Sequence, residues 1–461
     1  MNKSEKIDFQ QLPADEKGKV LFARAIAHHK KGDLQAALNF YARSLAFYPE
    51  QPDAYNNMAV ALRKLQHYEA ALACYQKSLD LREDFAGTYS NMGNVLNDLD
   101  RLDEALAAHK KAVELDPDEV QYLYNKGLAL RDAGYCEDAL QIFDAVLEKD
   151  PSYKDCPWDR ALTYLVAGDF EKGFAEYDAR WQLDKSPPRQ FSQPRWQGDS
   201  LQGKRLFIHR EQGFGDSIQF VRLISSIKKR YGGTVILECQ PELMTLFQDC
   251  EGIDHLVPFG SVLPEFDTWI PLMSLGHLLD VREDNIPGEV PYLFPPKASR
   301  FRIRPAVEGG MNIAIAWAGS PTHQNDRRRS VPLNYFIPLA GLPDVRLFSL
   351  QKGEGRHDLQ KTGASALIVD AGNDINDFAD SAGLIDQMDL VITIDTSVAH
   401  LAGALGKEVW VMLPYTPDWR WMLAREDSPW YPQMTLIRQP EPGNWQAVFD
   451  RVTEKLRERL P

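Results

Sequence analysis

Cysteine is scarce in this sequence, and both long apolar runs and a net positive charge are lacking. Each of these features argues against a class of protein. Only five of the 461 residues are cysteine, and they form no Cys-x-x-Cys pair, which argues against disulfides and zinc. No apolar run approaches the roughly 18 residues that span a bilayer, and the polar N-terminal segment 1–17 lacks the apolar core of a secretory signal. The net charge of −14 disfavours nucleic acid and anionic membranes as main partners. We therefore expect a cytoplasmic protein without a membrane span.

The N-terminal part of the chain contains a repeat of 34 residues. Two series of small residues have this spacing: Ala25, Ala59, Gly93, Gly127, Ala161, and Ala37, Ala71, Ala105, Ala139, Gly173. A ring follows each member of the second series four residues later: Tyr41, Tyr75, His109, Phe143, Tyr177. Small residues let two helices approach closely, and rings fill the groove between helix pairs. The pattern predicts five antiparallel helix pairs over 18–185, which is enough to bury a continuous core.

This pattern resembles the tetratricopeptide repeat, a helix pair that stacks into a solenoid with a concave groove. Asn57, Asn91 and Asn125 occupy one position of successive repeats and would form a row along that groove. Carboxamides both donate and accept hydrogen bonds, so such a row could hold the backbone of an extended protein acceptor. The alternative is that these asparagines only make hydrogen bonds between repeats. The protein O-GlcNAc transferase family has a similar asparagine row and joins its repeats to a glycosyltransferase.

The composition changes after the repeats. Prolines and polar residues over 186–203 predict an extended linker, which Trp181 and Trp196 would pin to a domain surface. Beyond it, short apolar strands alternate with helices, which predicts parallel sheets covered on both faces. We expect an α/β domain with a first Rossmann-like lobe over 204–300 and a second over 301–461. The expected strands are 205–209, 234–238, 256–259, 268–272, 312–317, 345–350, 366–370, 390–394 and 409–413.

The first candidate site follows the first predicted strand, because ligands of such folds lie at the carboxyl ends of strands. Gly213 and Gly215 allow a tight turn and a close approach of the backbone to a ligand. Asp216 is expected to cap the following helix, whatever else it does. A dinucleotide-binding motif would need a third glycine where Ile218 stands, which disfavours an NAD enzyme.

The second candidate site is the segment from Asp395 to His400, directly after a buried strand. Free amides at a helix start and the hydroxyls of Thr396 and Ser397 suit a diphosphate, with His400 one turn further on the same face. The alternative is a capped structural helix with a hydrogen-bonded core histidine. A third cluster, 323–330, follows another strand, where its arginines are either phosphate ligands or a solvated charge run.

The Gly-x-Gly-Asp loop and the Asp-Thr-x-x-x-His segment together resemble the heptosyltransferase-type glycosyltransferases of the GT-B fold, over about 203–460. The resemblance implies that Asp216 is the catalytic base. It implies a donor site formed by Asp395, Thr396, Ser397, His400, Lys352, Arg329, His323, Gly213 and Gly215. Heptosyltransferases usually have glycine where Ser397 stands, which puts ADP-heptose itself in doubt as the donor. Together with the repeats, the chain resembles bacterial fusions of tetratricopeptide repeats and such transferases, some of which modify proteins such as flagellin.

These features indicate an inverting glycosyltransferase that moves a sugar from a nucleotide sugar to a hydroxyl of a protein acceptor held by the repeats. No metal is expected, because the Asp-x-Asp pairs Asp98/Asp100 and Asp116/Asp118 lie at repeat turns, and GT-B enzymes stabilise the leaving diphosphate with helix starts and basic side chains. No cofactor is expected either, since the nucleotide sugar is a substrate. The alternative function is a non-catalytic scaffold with an inactive transferase domain.

Overall fold

The computed structural model describes residues 9–183, 188–297, 299–323 and 325–460. Its contacts divide the chain into two compact units, Met1–Asp159 and Arg160–Pro461. The expected N-terminal segment 1–17 and the expected linker 186–203 lie partly outside the described residues. Among the described helices, none has both the length and the apolar character needed to cross a membrane.

The first unit is built from antiparallel helix pairs. Its helices are α1 (Ala14–Lys30), α2 (Leu34–Phe47), α3 (Pro52–Lys64), α4 (Tyr68–Leu81), α5 (Ala86–Asp98), α6 (Leu102–Leu115), α7 (Val120–Asp132) and α8 (Cys136–Lys149). The periodic small residues and rings pack against each other, as the sequence indicated. A Cβ atom on Gly93 would lie 2.7 Å from the His109 ring, and one on Gly127 would lie 2.6 Å from Phe143. The predicted tetratricopeptide solenoid is confirmed.

A left-handed residue separates the two helices of each repeat. Its φ angle is +79° at Gly32, +61° at Gln66, +58° at Asp100 and +89° at Gly134, at positions 34 residues apart. Only glycine adopts this conformation without steric cost, yet two repeats place a longer side chain there. The turn geometry is therefore imposed by packing of the helix pair and not by the turn residue alone.

The second unit contains two parallel sheets. Helix α9 (Cys156–Val166) spans the boundary between the units, and α10 (Phe170–Glu176) follows it. The strands and helices of the first sheet are β1 (Arg205–His209), α11 (Phe214–Phe220), α12 (Ile224–Tyr231), β2 (Thr234–Cys239), α13 (Met244–Phe247), β3 (His255–Pro258), β4 (Thr268–Pro271) and α14 (Leu275–Leu278). The strands lie in the order β3-β2-β1-β4.

The second sheet has six strands in the order β10-β9-β8-β5-β6-β7. Its elements are β5 (Met311–Ala316), α15 (Asp326–Arg329), β6 (Val345–Ser349), α16 (Asp358–Lys361), β7 (Ile368–Asp370), α17 (Phe378–Ile385), β8 (Leu390–Ile394), α18 (Ser397–Ala404), β9 (Val409–Leu413), β10 (Met434–Arg438) and α19 (Trp445–Arg457). The chain starts this sheet at β5, builds outward to β7, and then returns to build from β8 to β10. Such a reversal between β5 and β8 leaves a crevice at the carboxyl ends of these strands, which is where doubly wound sheets bind ligands.

The nine strands expected from the sequence are present, within two residues at each end, and all of their pairings are parallel. Every residue of β5, β8 and β9 is buried, which explains their continuous apolar sequences. The sequence did not indicate β10 or α19, which complete one side of the second sheet. The linker prediction is confirmed for Trp196, which is buried against Tyr231.

The sequence assigns α9 and α10 to a fifth repeat, but α10 and the part of α9 from Arg160 onward group with the second unit. Phe170 and Phe174 of α10 contact Trp419 at ring-centroid distances of 6.1 and 5.7 Å, and Phe170 also stacks on Trp430 at 5.6 Å. These four rings are buried together. The repeat periodicity continues through this pair, but its rings pack against the α/β domain, which is why the contacts divide the chain after Asp159.

Candidate functional site

Two loops of the second sheet meet at the crevice between β5 and β8. Arg329 lies in the loop after β5, and its Nη1 donates to the carbonyl oxygen of Asp395, the first residue after β8, at 3.1 Å. Gln351 holds the start of the β5 loop, because its Oε1 accepts from the amides of Trp317 and Ala318 at 3.0 and 2.9 Å. Two of the segments singled out in the sequence are thus neighbours in space.

The helix after β8 begins at this crevice. Thr396 is the N-cap residue of α18, and its hydroxyl accepts from the amide of Val398 at 3.3 Å. Amide groups of a first helical turn have no partner within the helix, so they can bind an anion. Burial and the charge of Asp418 raise the pKa of Asp395 to about 6, against the opposing charge of Arg329. Ser397 and Thr396 remain partly exposed.

His400 is buried on the inner side of α18. Its Nδ1 lies 2.9 Å from the hydroxyl of Tyr431, and its ring stacks on Trp421 at 5.1 Å. Burial and the charge of Arg420 lower the pKa of His400 to about 3, so the imidazole is neutral at physiological pH. His400 could therefore contact a phosphate through an uncharged N–H group, but it cannot supply a positive charge.

The Gly-x-Gly-Asp loop of the first lobe packs against α18. Helix α11 begins at Phe214 with Gly213 as its N-cap, so the expectation that Asp216 is the N-cap is wrong. Asp216 is the third helical residue, and its Oδ2 accepts from the amide of Gly213 at 2.6 Å. The helix can start earlier because the carboxylate of Asp216, one turn later, accepts from the amide of the N-cap residue. A Cβ on Gly215 would lie 2.8 Å from Cδ2 of His400, so this glycine permits the close approach.

Arg420 is the central cation of the site, and sequence reasoning missed it. Its guanidinium binds three acceptors: Oδ1 of Asp216, Oδ1 of Asp418 at 2.8 Å and Oε1 of Gln219 at 2.6 Å. The side chains of Arg420 and Asp216 are only 8% and 16% exposed, so this ion pair is largely shielded from water. The available signal was the position of the Asp-Trp-Arg-Trp segment, Asp418 to Trp421, in the loop that follows the buried strand β9.

Two other residues of the predicted donor site lie at strand ends but have internal contacts. The ammonium of Lys352, which follows β6, donates to the carbonyls of Gly372 and Ile375 at 3.1 and 2.7 Å. His323 is exposed in the β5 loop, where its Nδ1 accepts from the amide of Asn325 at 3.2 Å. Within the described residues, no group of three or more His, Cys, Asp or Glu is arranged to hold a metal ion. Metal independence stays a prediction.

The two other residues near the Gly-x-Gly-Asp loop that could act as a base are enclosed. Glu211 forms an ion pair with Arg180 at 2.7 Å in which both side chains are 3% exposed, and it also accepts from the amide of Met273 at 2.9 Å. Burial raises the pKa of Glu211 and lowers the pKa of His209 to about 4. Of the two carboxylates, Asp216 is the more exposed, at 16% against 3% for Glu211, and the choice between them as the base stays a prediction.

Two asparagines of the row in the repeats make hydrogen bonds between the first helices of successive repeats. Nδ2 of Asn91 donates to Oδ1 of Asn56 at 3.2 Å, and Nδ2 of Asn125 donates to the hydroxyl of Ser90 at 2.9 Å. Asn125 is buried, and its Oδ1 accepts from Gln121 at 3.0 Å. Asn57 accepts from the neighbouring Asn56 at 3.3 Å. The row thus has a structural role, and its capacity to bind an acceptor stays a prediction.

Comparison with known proteins supports the repeats independently. Profiles described as tetratricopeptide repeats match residues 52–85, 93–134 and 124–188. Among solved structures, the chain is similar to YrrB, a tetratricopeptide protein with an unusual peptide-binding site, at 23% identity. This match covers 39% of the chain and 94% of YrrB, with a TM-score of 0.33. It is also similar to pilF from Pseudomonas aeruginosa at 20% identity, covering 36% of the chain and 76% of pilF, with a TM-score of 0.33.

Among curated proteins, the chain is similar to Protein FlbA of Caulobacter vibrioides, at 26% identity over 309 residues. The match covers 61% of the chain, which is more than the repeats alone, so it includes part of the α/β domain. The chain spans about half, 51%, of the length of this relative. The repeats therefore indicate a protein-interaction module joined to an α/β domain.

Proposed function

We propose that the α/β domain is an inverting GT-B glycosyltransferase and that the repeats hold its protein acceptor. The observation that carries the proposal is the contact between α11 and α18. It places Gly215, the residue before Asp216, against His400, which lies one turn into the helix that follows β8, and Asp216 itself binds Arg420 of the second lobe. A base and an anion site on opposite walls of one crevice are the two parts that sugar transfer from a nucleotide sugar requires.

In the proposed reaction, the acceptor hydroxyl gives its proton to Asp216 while its oxygen attacks the anomeric carbon of the donor sugar. The bond between that carbon and the diphosphate oxygen breaks on the opposite face, which inverts the anomeric configuration. The electron pair of this bond leaves with the nucleoside diphosphate. The amides at the start of α18, with the hydroxyls of Thr396 and Ser397, would stabilise the leaving charge.

The other donor contacts follow from the charges of the site. Arg329 would add a fixed positive charge beside Asp395, which it already contacts. Lys352 could exchange its two carbonyl acceptors for phosphate oxygens, because these acceptors are neutral. The Tyr431 hydroxyl, whose pKa is raised by burial, stays protonated and is placed to donate to Nδ1 of His400. The proton of the neutral imidazole then lies on Nε2, which would donate to the donor diphosphate or sugar.

A melting screen of the full-length protein with UDP, GDP, ADP, CMP and NAD tests this proposal. A nucleotide at about 100 times its Kd stabilises by roughly 2.7 kcal/mol, which raises the melting temperature of a domain of this size by on the order of 5 to 10 °C. We expect one nucleoside diphosphate to give such a shift. We also expect the protein to consume the corresponding nucleotide sugar in the presence of excess chelator, because the transfer is expected to need no metal. A response to NAD alone would point to an oxidoreductase.

The alternative function, a non-catalytic scaffold, predicts that no nucleotide raises the melting temperature in the same screen. The repeats by themselves are a protein-interaction module, so an inactive transferase domain would leave partner binding intact. No melting response to any of the five compounds would support the scaffold and contradict the transferase. Loss of all transfer in excess chelator would leave the transferase standing but contradict its metal independence.

A further inference from the structure

Each nitrogen of the Arg420 guanidinium donates one hydrogen bond, and the three acceptors belong to both lobes. Its Nη2 binds Asp216 and its Nε binds Gln219, both on α11 of the first lobe. Its Nη1 binds Asp418 at 2.8 Å, two residues away on its own loop. The residue proposed as the base thus shares a buried cation with a second carboxylate.

This cation also lies next to the proposed diphosphate site. Trp421, the residue after Arg420, stacks on His400 of α18, and His400 lies against Gly215, the residue before Asp216. The charge of Arg420 acts on both His400 and Asp395, which lie on either side of the helix start. A diphosphate bound at the start of α18 would therefore lie within reach of this guanidinium.

The charges in the crevice favour an exchange of partners. Four carboxylates lie around the two arginines: Asp326 is paired with Arg329 at 3.3 Å, and Asp216, Asp395 and Asp418 lie near Arg420. The histidine beside them is neutral. A diphosphate adds at least two negative charges and needs cations that are not already neutralised. Of the cations at the crevice, Arg420 is the one whose carboxylate partner is itself the proposed base.

We infer that Arg420 is a positioning residue whose Nη2 donates to Asp216 until the donor binds. Nη2 then donates to an oxygen of the donor diphosphate instead, and Asp216 is released. This inference rests on the proposed function. The exchange involves no covalent step, since one hydrogen-bonded ion pair replaces another. Its consequence is an order of events in which the Asp216 carboxylate accepts a proton only after the donor is in place. Asp216 and the diphosphate compete for one cation, so each weakens the binding of the other to it.

The test is the affinity of four full-length proteins for the nucleoside diphosphate that gives the largest melting shift: wild type, Asp216→Asn, Arg420→Gln and the double variant. Inorganic pyrophosphate serves as a second probe for the phosphates alone. We expect Asp216→Asn to tighten binding about tenfold and Arg420→Gln to weaken it about tenfold. In the double variant, Asp216→Asn should give no tightening, because the cation for which Asp216 competes is absent.

The four affinities separate this inference from simple repulsion. If Asp216→Asn tightens binding by the same factor with and without Arg420, the carboxylate only repels the phosphates and the inference is wrong. It is equally wrong if Asp216→Asn leaves the affinity of the protein unchanged. If wild-type protein binds none of the nucleotides, the proposed function fails first, and the inference fails with it.

A second variant covers the case in which Arg420→Gln does not fold. Arg420→Lys keeps the charge, but one ammonium cannot donate to Asp216, Asp418 and Gln219 in the geometry of the guanidinium fork. In that background, the tightening caused by Asp216→Asn should fall below about threefold. An undiminished tenfold effect in the lysine background would overturn the exchange.

Discussion

At the scale of single residues, the two carboxylates at the carboxyl end of β1 have different environments. Asp216 borders the crevice and has one oxygen on the Gly213 amide and the other on Arg420. Glu211, five residues earlier, is enclosed with Arg180. They are close in the sequence but differ in burial, since the side chain of Asp216 is 16% exposed and that of Glu211 is 3% exposed.

We expect Asp216→Asn to slow sugar transfer by roughly 10²- to 10⁴-fold, which is the usual worth of a positioned base. Asparagine keeps an oxygen for the Gly213 amide, so the protein should remain folded. Single-turnover assays with the donor identified in the melting screen measure this effect. Near-normal turnover of the variant would remove Asp216 from the role of base.

Glu211→Gln is the matched control for the same chemistry. Breaking a buried ion pair typically costs about 3 to 5 kcal/mol, so this variant should melt at a clearly lower temperature. The fraction that stays folded should transfer sugar at a near-normal rate. A stable Glu211→Gln protein without activity would instead identify Glu211 as the base.

The contact at Gly215 decides how closely α11 approaches α18. A methyl group there would lie 2.8 Å from Cδ2 of His400, whose ring is held by Tyr431 and Trp421 and cannot move aside. We expect Gly215→Ala to lower both the melting temperature and the nucleotide-induced shift. Gly213→Ala is the control, since its Cβ would come no nearer than 3.4 Å, to Asp216 Oδ2. Equal behaviour of the two variants would show that this contact is not tight in solution.

At the scale of helices, the repeats depend on pairs of one small residue and one ring. Gly93 and Gly87 both lie in α5, which allows a comparison within one helix. Gly93→Ala should destabilise the repeats by about 1 to 3 kcal/mol, because the methyl group meets the buried His109 ring at 2.7 Å. Gly87→Ala should be close to neutral, since its nearest neighbour is the hydroxyl of Tyr122 at 3.2 Å, the end of a movable side chain. Urea unfolding of both variants measures the difference, and equal free energies of unfolding would contradict the packing argument.

The asparagine row allows a test of acceptor binding at the scale of the groove. If Asn57, Asn91 and Asn125 hold the acceptor backbone, replacing all three with alanine should weaken acceptor use, at roughly 0.5 to 1.5 kcal/mol for each lost hydrogen bond. Slow hydrolysis of the donor by water should persist, because it does not need the repeats. Since Asn91 and Asn125 also bond between repeats, the variant must first be shown to be folded by circular dichroism. Unchanged acceptor kinetics in a folded variant would leave these residues with their inter-repeat role alone.

At the scale of the whole molecule, the boundary between the two compact units lies after Asp159, within the 34-residue repeat pattern. A fragment 154–461 keeps α9 and α10, whose rings cover Trp419 and Trp430, and we expect it to unfold cooperatively and to respond to nucleotide. A fragment 204–461 follows the boundary expected from the sequence and exposes these tryptophans, so it should aggregate. Size-exclusion chromatography and melting curves compare the two. A monomeric, nucleotide-responsive 204–461 fragment would show that α10 is dispensable for the domain.

The sequence by itself determined the features that depend on local spacing. The 34-residue series of small residues and rings specifies helix pairs, because each repeat packs in the same way against the next. The continuous apolar runs specify strands such as β5, β8 and β9, in which every residue is buried. The same reasoning located Asp216, Arg329 and the segment from Asp395 to His400 at strand ends.

Only the tertiary structure decided which of these residues meet. The ion pair between Asp216 and Arg420 joins residues 204 positions apart, and no periodicity relates them. The neutrality of His400 depends on burial beneath Trp421, and the assignment of α10 to the α/β domain depends on rings contributed from beyond residue 400. Local spacing indicates helices and strands because the side-chain period of each element, and the hydrogen bonds within a helix, involve residues that are near in the sequence. Charge states and partners arise from desolvation and packing between distant segments, which a linear sequence does not display.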